Sequence, residues 1–310
     1  MRILQSVFNK VNSQTVPKNI IAYLKYNILF FGMAGLCALC LFGYEMITTS
    51  NGTVAFGETI IYALISGFGL AIACCCSMYA LTSGTIVLDS LFATAGLIVP
   101  TIASIFLYQE YLSIWQWLFI GTFLIGAYLL VGNSKKVYGK FSIKTLSVLI
   151  LSLLTTGLTM LMQTMFSRNV ENGNVSLFSM LSFFSSILLI GIVLVVVYLI
   201  YKSKQNVLDG EKEEKDFYVF PLNSKEAVIP KKNLGYALIL AVAVFLINQL
   251  ATISANLISP VILFAFINGG ATIISALVGV LLFKEKLSVK GIIGIAIGIG
   301  SLILIKIFAI

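Results

Sequence analysis

Leu107–Val131 reads LYQEYLSIWQWLFIGTFLIGAYLLV, and Leu282–Ile305 reads LFKEKLSVKGIIGIAIGIGSLILI. Both carry a Glu at the end of one apolar segment, a Leu-Ser pair, and then a second apolar segment containing glycine. Glu110 and Glu285 stand 175 positions apart, and Leu107, Leu112 and Ser113 match Leu282, Leu287 and Ser288 at that same spacing. The chain is therefore read as two related halves. Ser113 is followed by Gln116 at capping-box spacing, so Ser113 and Ser288 are expected to start the last helix of each half.

Composition sets the class. Of 310 residues, 59% are hydrophobic and 10% charged, with a mean hydropathy of +1.03. A water-soluble domain of this size could not place so much apolar surface inside. A helix needs ~20 apolar residues to cross a bilayer core, because each backbone polar group must be bonded within the segment. Nine segments have that length, near 20–43, 59–81, 85–107, 114–132, 145–166, 176–201, 234–255, 259–283 and 289–306. The fold class is an all-α polytopic membrane protein.

Chemistry-bearing side chains are scarce. There is no His, so general acid–base and metal-hydrolase chemistry lack their commonest group, and no enzyme activity or cofactor is expected. The five cysteines, Cys37, Cys40, Cys74, Cys75 and Cys76, lie inside apolar segments and read as packing residues rather than metal ligands. The net charge of +8 comes from lysines in loops between apolar segments, which fits membrane topology and not nucleic-acid binding.

The repeat extends beyond its signature. Tyr62-Ala63-Leu64-Ile65 recurs as Tyr236-Ala237-Leu238-Ile239, 174 positions on. Ile3–Lys10 is similar to Leu161–Arg168 at a spacing of 158, an octet that ends a full segment in the second half. The first segment of the first half is therefore expected to be cut short. The plan is ten helices in two inverted five-helix repeats, with the first truncated and nine complete. The first repeat covers 1–132, a linker 133–144, and the second repeat 145–310. The spacing grows by 16 positions within the charged loop 202–233, which contains two of the five prolines and reads as a solvated connection.

Lysine and arginine cluster in alternate loops, at Arg2–Lys18, Lys135–Lys144, Lys202–Lys232 and Lys284–Lys290, which places that side in the cytoplasm. The Glu45 to Glu58 connection, with no basic residue, is expected outside. The C-terminus then falls outside as well.

Paired five-helix halves, each closing with a Glu, a Leu-Ser and a glycine-bearing last helix, resemble the drug/metabolite transporter superfamily, specifically its EamA-like branch. Ala80–Pro100, where small and hydroxyl residues precede a proline, is similar to the fourth-helix region of that family. The resemblance implies a multi-pass plasma-membrane carrier that moves a small organic metabolite or drug by alternating access, with the substrate near the midplane between the halves. It also implies both termini in the cytoplasm, against the lysine pattern at the C-terminus. A nucleotide-sugar or sugar-phosphate antiporter is the alternative carrier, although Lys25 is the sole membrane-embedded cation available to a phosphate. A non-transporting membrane subunit or sensor is the alternative from another class.

Polar groups within apolar helices are the candidate contacts, because they are costly there unless they face a cavity or a partner. Gln163, Asn248, Gln249, Asn268, Tyr62 and Tyr236 are the expected substrate-binding residues, and Asp89 the expected coupling acid. Gly294 and Gly298 form a GxxxG pair that admits close helix packing, either within the chain or in a homodimer. Partners are thus a small-molecule substrate, the lipid bilayer and a second copy of the chain. Glu110 and Glu285, on opposite-facing halves, are expected on opposite membrane surfaces.

Overall fold

The computed structural model describes residues 11–12, 15–16, 20–48, 55–83, 92–109, 111, 113–131, 143–207, 229–271, 273–274, 277, 281 and 289–307. Asp89, Glu110, Glu285 and Ser288 lie outside them. Among the described residues all regular structure is helical. In chain order the helices are α1 (Ile20–Thr48), α2 (Phe56–Ser83), α3 (Ile98–Tyr108), α4 (Ile114–Val131), α5 (Ile143–Asn169), α6 (Val175–Val207), α7 (Lys231–Leu257), α8 (Pro260–Phe264) and α9 (Val289–Ile307). The chain is a helical membrane protein: α1, α2, α5, α6 and α7 each contain a stretch long and apolar enough to cross a bilayer.

Most helices outrun the apolar stretch that announced them. α1 has 29 residues, more than the ~20 that a bilayer core requires. It carries Glu45 in its last turn, so the expected 45–58 connection shrinks, and Glu58 falls in the first turn of α2. The expected loop at 202–233 is likewise shorter, since α6 continues to Val207 and α7 begins at Lys231. At that start, Pro230 sits just ahead of the helix, where its lack of an N–H is harmless.

Two helices are interrupted. Phe92–Ala95 is helical, the chain turns at Gly96–Leu97, and α3 resumes at Ile98. Past α8 the backbone widens into a π-helical turn over Ala265–Gly269, which contains Asn268. The interruptions meet: the Thr94 hydroxyl donates to the Asn268 carbonyl at 3.0 Å, joining residues that stand 174 positions apart.

Glycine and serine set the helix spacing. A Cβ on Gly67 of α2 would lie 2.1 Å from the Ser182 carbonyl of α6, and one on Gly69 would lie 2.9 Å from the Thr155 carbonyl of α5. Only hydrogen fits at these crossings. α4 and α9 meet in the same way, with a Gly126 Cβ placed 2.9 Å from the Gly294 carbonyl and 3.1 Å from the Gly298 nitrogen. The GxxxG pair is therefore used within the chain. Thr122 and Ser301 hydrogen-bond across the same antiparallel contact at 2.9 Å.

The largest apolar core lies where α1 meets α2, α6 and α7, around Tyr26, Phe31, Ala34, Phe183 and Val244. Cys37, Cys74 and Cys75 pack against it. A second core joins the turn at Leu97 to α4, α5, α7 and α8 around Phe123, Met160 and Phe264. The capping box at the start of α4 is present: Gln116 Oε1 accepts from the Ser113 N–H at 2.9 Å, and Ser113 Oγ accepts from the Gln116 N–H at 3.3 Å. Trp115 and Trp117 follow it on the surface.

Candidate functional site: a buried polar chain

α5, α6 and α7 meet along a contact in which five of the buried polar side chains form one group. Gln163, Ser176, Ser179, Asn248 and Gln249 are all at least nine-tenths buried. Burial among hydrocarbon obliges such groups to bond one another. Helical periodicity permits it, because Ser176 and Ser179 are three residues apart and share one face of α6.

The bonds form a single series. Gln163 Nε2 donates to Asn248 Oδ1. Asn248 Nδ2 donates to Ser179 Oγ at 3.0 Å, and Ser179 Oγ donates to Gln249 Oε1 at 2.7 Å. Gln249 Nε2 donates to Ser176 Oγ at 2.8 Å, and Ser176 Oγ donates to Glu45 Oε1 at 2.9 Å. The chain thus starts inside the bundle and ends on a carboxylate near the end of α1. Asn174 holds the other carboxylate oxygen, donating from Nδ2 to Glu45 Oε2 at 2.8 Å. Its own Oδ1 accepts the Leu177 N–H at 2.7 Å, capping α6. Glu45 therefore sits at a helix N-terminus, where the exposed N–H dipoles favour a negative charge.

The direction of the series follows from the charge. An ionised carboxylate only accepts hydrogen bonds, so Ser176 must spend its one proton on Glu45. Gln249 must then offer Ser176 its amino group, which turns its carbonyl toward Ser179. Ser179 must donate to that carbonyl, and the same logic fixes Asn248 and Gln163. No hydrogen bond among the described residues reaches the remaining acceptor, Gln163 Oε1.

Asn268 lies close to the inner end. Its Nδ2 contacts Met160 Sδ at 3.5 Å, and Met160 precedes Gln163 by three residues on α5. The structure thus joins Gln163 directly to Asn248, joins Asn248 to Gln249 through Ser179, and sets Asn268 against the same stretch of α5 through Met160. Tyr62 and Tyr236 are not members of the series. Tyr62 lines a groove of about 370 Å³ between α2 and α5, with Glu58, Met162 and Met165. Tyr236 is half-buried near the start of α7, twelve residues and so ~18 Å of helix from Asn248.

Sequence reasoning missed Glu45, Ser176 and Ser179. Glu45 was assigned to a connection, and serines are frequent in these helices. The signal available was the 176/179 spacing facing two adjacent amides.

At the opposite end of α1 a second polar group ties α7 to the segment before α1. Asn233 Nδ2 donates to Asn12 Oδ1 at 3.0 Å and to Thr15 Oγ1 at 2.7 Å. Asn12 in turn bonds Tyr26.

No protein-family model matches the chain, and no curated protein matches it. Among solved structures, 26 chains match. One, described as "Crystal structure of protein", superposes with a TM-score of 0.65 over 99% of this chain and 94% of that one, at 14% identity. The fold is thus one that a crystallised protein adopts over nearly its whole length.

Proposed function

We propose that this protein is a secondary carrier of a small organic solute, built as two inverted halves of the drug/metabolite transporter, EamA-like, kind. The observation that carries the reading is the uncharged polar series at Gln163, Asn248, Ser179 and Gln249. It is buried in an apolar bundle and, among the described residues, leaves the Gln163 Oε1 acceptor unused, while Asn268 of the π-helical turn contacts Met160 on the same helix as Gln163. Carriers of this class hold substrate where broken helices meet between repeats.

The halves are supported by the contacts. With the spacings of the sequence repeats, α1 corresponds to α6, α2 to α7, the 92–108 segment to the α8 region, and α4 to α9. Thr94 then bonds its own counterpart, Asn268, as two residues beside a two-fold axis would. The Thr122–Ser301 contact has its mirror in the approach of Gly126 to Ile297 Cγ2, where an added Cβ would lie at 3.1 Å. α1 packs antiparallel on α6, its counterpart, and α4 on α9.

Alternating access follows from this arrangement. The Glu45–Asn174–Ser176 contact closes one end of the α1/α6 pair, and the Asn12–Asn233 group closes the other end of the bundle. Opening either end alone exposes the polar series to one side. The expected location is the plasma membrane.

A thermal-stability screen of the full chain against a metabolite library tests the reading. One chemical class should stabilise the wild type, and that gain should be lost in Gln163→Ala. Equal stabilisation of both would remove Gln163 from the site.

A further inference from the structure

We propose that Glu45 is a proton-binding site whose occupancy reverses the whole polar series and so changes what Gln163 offers to a ligand. This deepens the carrier reading by naming its coupling ion, and it rests on that reading only for the use made of the switch.

The argument starts from Glu45. Among the described residues the acids are Glu45, Glu58 and Glu171, and the last two are exposed. Glu45 is partly buried, its carboxylate accepts from Asn174 and Ser176, and no cation among the described residues pairs with it. Among the described residues, the charged groups on neighbouring elements at this end are Glu171 in the turn before α6, Glu58 at the start of α2 and Arg168 at the end of α5. Tyr44, Tyr62, Tyr108 and Tyr111 are the described phenols there. Arg168 is engaged elsewhere, donating from Nε to the Ala255 carbonyl at 3.3 Å and lying 4.9 Å from the centre of the Tyr108 ring.

A proton arriving from water has one suitable seat. Oε2 faces the Asn174 amino group, which cannot turn because Asn174 Oδ1 caps α6. Oε1 faces Ser176, whose oxygen can accept. Once Oε1 carries the proton it donates to Ser176, and the Ser176 hydroxyl hydrogen must point away from Glu45. Gln249 then turns its carbonyl to Ser176 and its amino group to Ser179. Ser179 donates to Asn248 Oδ1, and Asn248 Nδ2 donates to Gln163 Oε1. Every bond is retained with donor and acceptor exchanged, and no atom other than the one proton is added.

The consequence appears at the inner end. With Glu45 ionised, Gln163 has a free acceptor, Oε1. With Glu45 protonated, that oxygen is occupied and the Nε2 hydrogens are free. A solute that donates to Gln163, such as an amine, therefore binds in competition with the proton. One that accepts, such as a carboxylate, binds together with it.

Side-chain amide NMR on the full chain in lipid nanodiscs, with pH as the only variable, tests this without transport. The Gln163, Asn248 and Gln249 amide resonances should shift together with one midpoint, and the shifts should vanish in Glu45→Gln. Ser179→Ala should keep the Gln249 shift and lose those of Asn248 and Gln163, because the series is cut between them. A Glu45 carboxyl resonance that titrates while Gln163 stays still would overturn the proposal. So would Gln163 shifts that persist in Glu45→Gln. Absence of solute flux in liposomes would count against the carrier reading and leave this result standing.

Discussion

Ser176 Oγ lies 2.9 Å from Glu45 Oε1, and that one contact orients every hydrogen bond from the end of α1 to Gln163. The α6 helix supplies the hydroxyl, and its capping residue Asn174 steadies the carboxylate. A charge at the end of α1 thereby fixes the polarity of groups buried among α5, α6 and α7.

Ser179 is the middle of the series, so its removal should be felt on both sides. Ser179→Ala leaves the Asn248 amino group and the Gln249 carbonyl without their partner. Each such bond is worth ~0.6 kcal/mol between membrane helices, and more where the orphaned group stays dry. Thermal unfolding in detergent should show a loss of about 1–2 kcal/mol. Ser179→Thr, which keeps the hydroxyl, should recover most of it.

Gly67 makes the closest approach of the described glycines. Gly67→Ala would place Cβ 2.1 Å from the Ser182 carbonyl, backbone that cannot swing aside. Overpacking of this kind costs about 3 kcal/mol, and the variant should lose its single peak in size-exclusion chromatography. Gly32→Ala, with nothing within 4 Å of the new Cβ, should behave as the wild type.

Ser113 and Gln116 satisfy each other's backbone at the start of α4. Ser113→Ala should lower stability by about 1 kcal/mol in the same unfolding assay, while Ser113→Asp, another good cap, should restore it.

Much of this architecture was legible because its causes are local. Apolar runs located the helices found among the described residues, five of them long and apolar enough to cross a bilayer, and the Ser113–Gln116 spacing announced a capping box that is present. Gln163, Asn248 and Gln249 stood out because amides inside hydrocarbon need partners. What was not legible depends on two helices at once. Glu45 looked like a loop residue, since its place is decided by α1 running a further turn to reach Asn174 and Ser176. The π-turn at Asn268 has no local marker except the Gly269-Gly270 pair, and its meaning appears only when Thr94 reaches its carbonyl. Tyr62 and Tyr236 matched well in sequence as equivalent positions in two helices, and both lie outside the polar series. Asp89 falls outside the described residues.

Solute exchange by the purified full chain in liposomes tests the central claim most directly. A solute that stabilises the protein in the thermal screen should enter by counterflow against an internal pool of itself, and flux should fall at least tenfold in Gln163→Leu and Asn248→Leu while both variants remain folded. Wild-type protein that is folded, binds the solute and passes none of it would contradict the account.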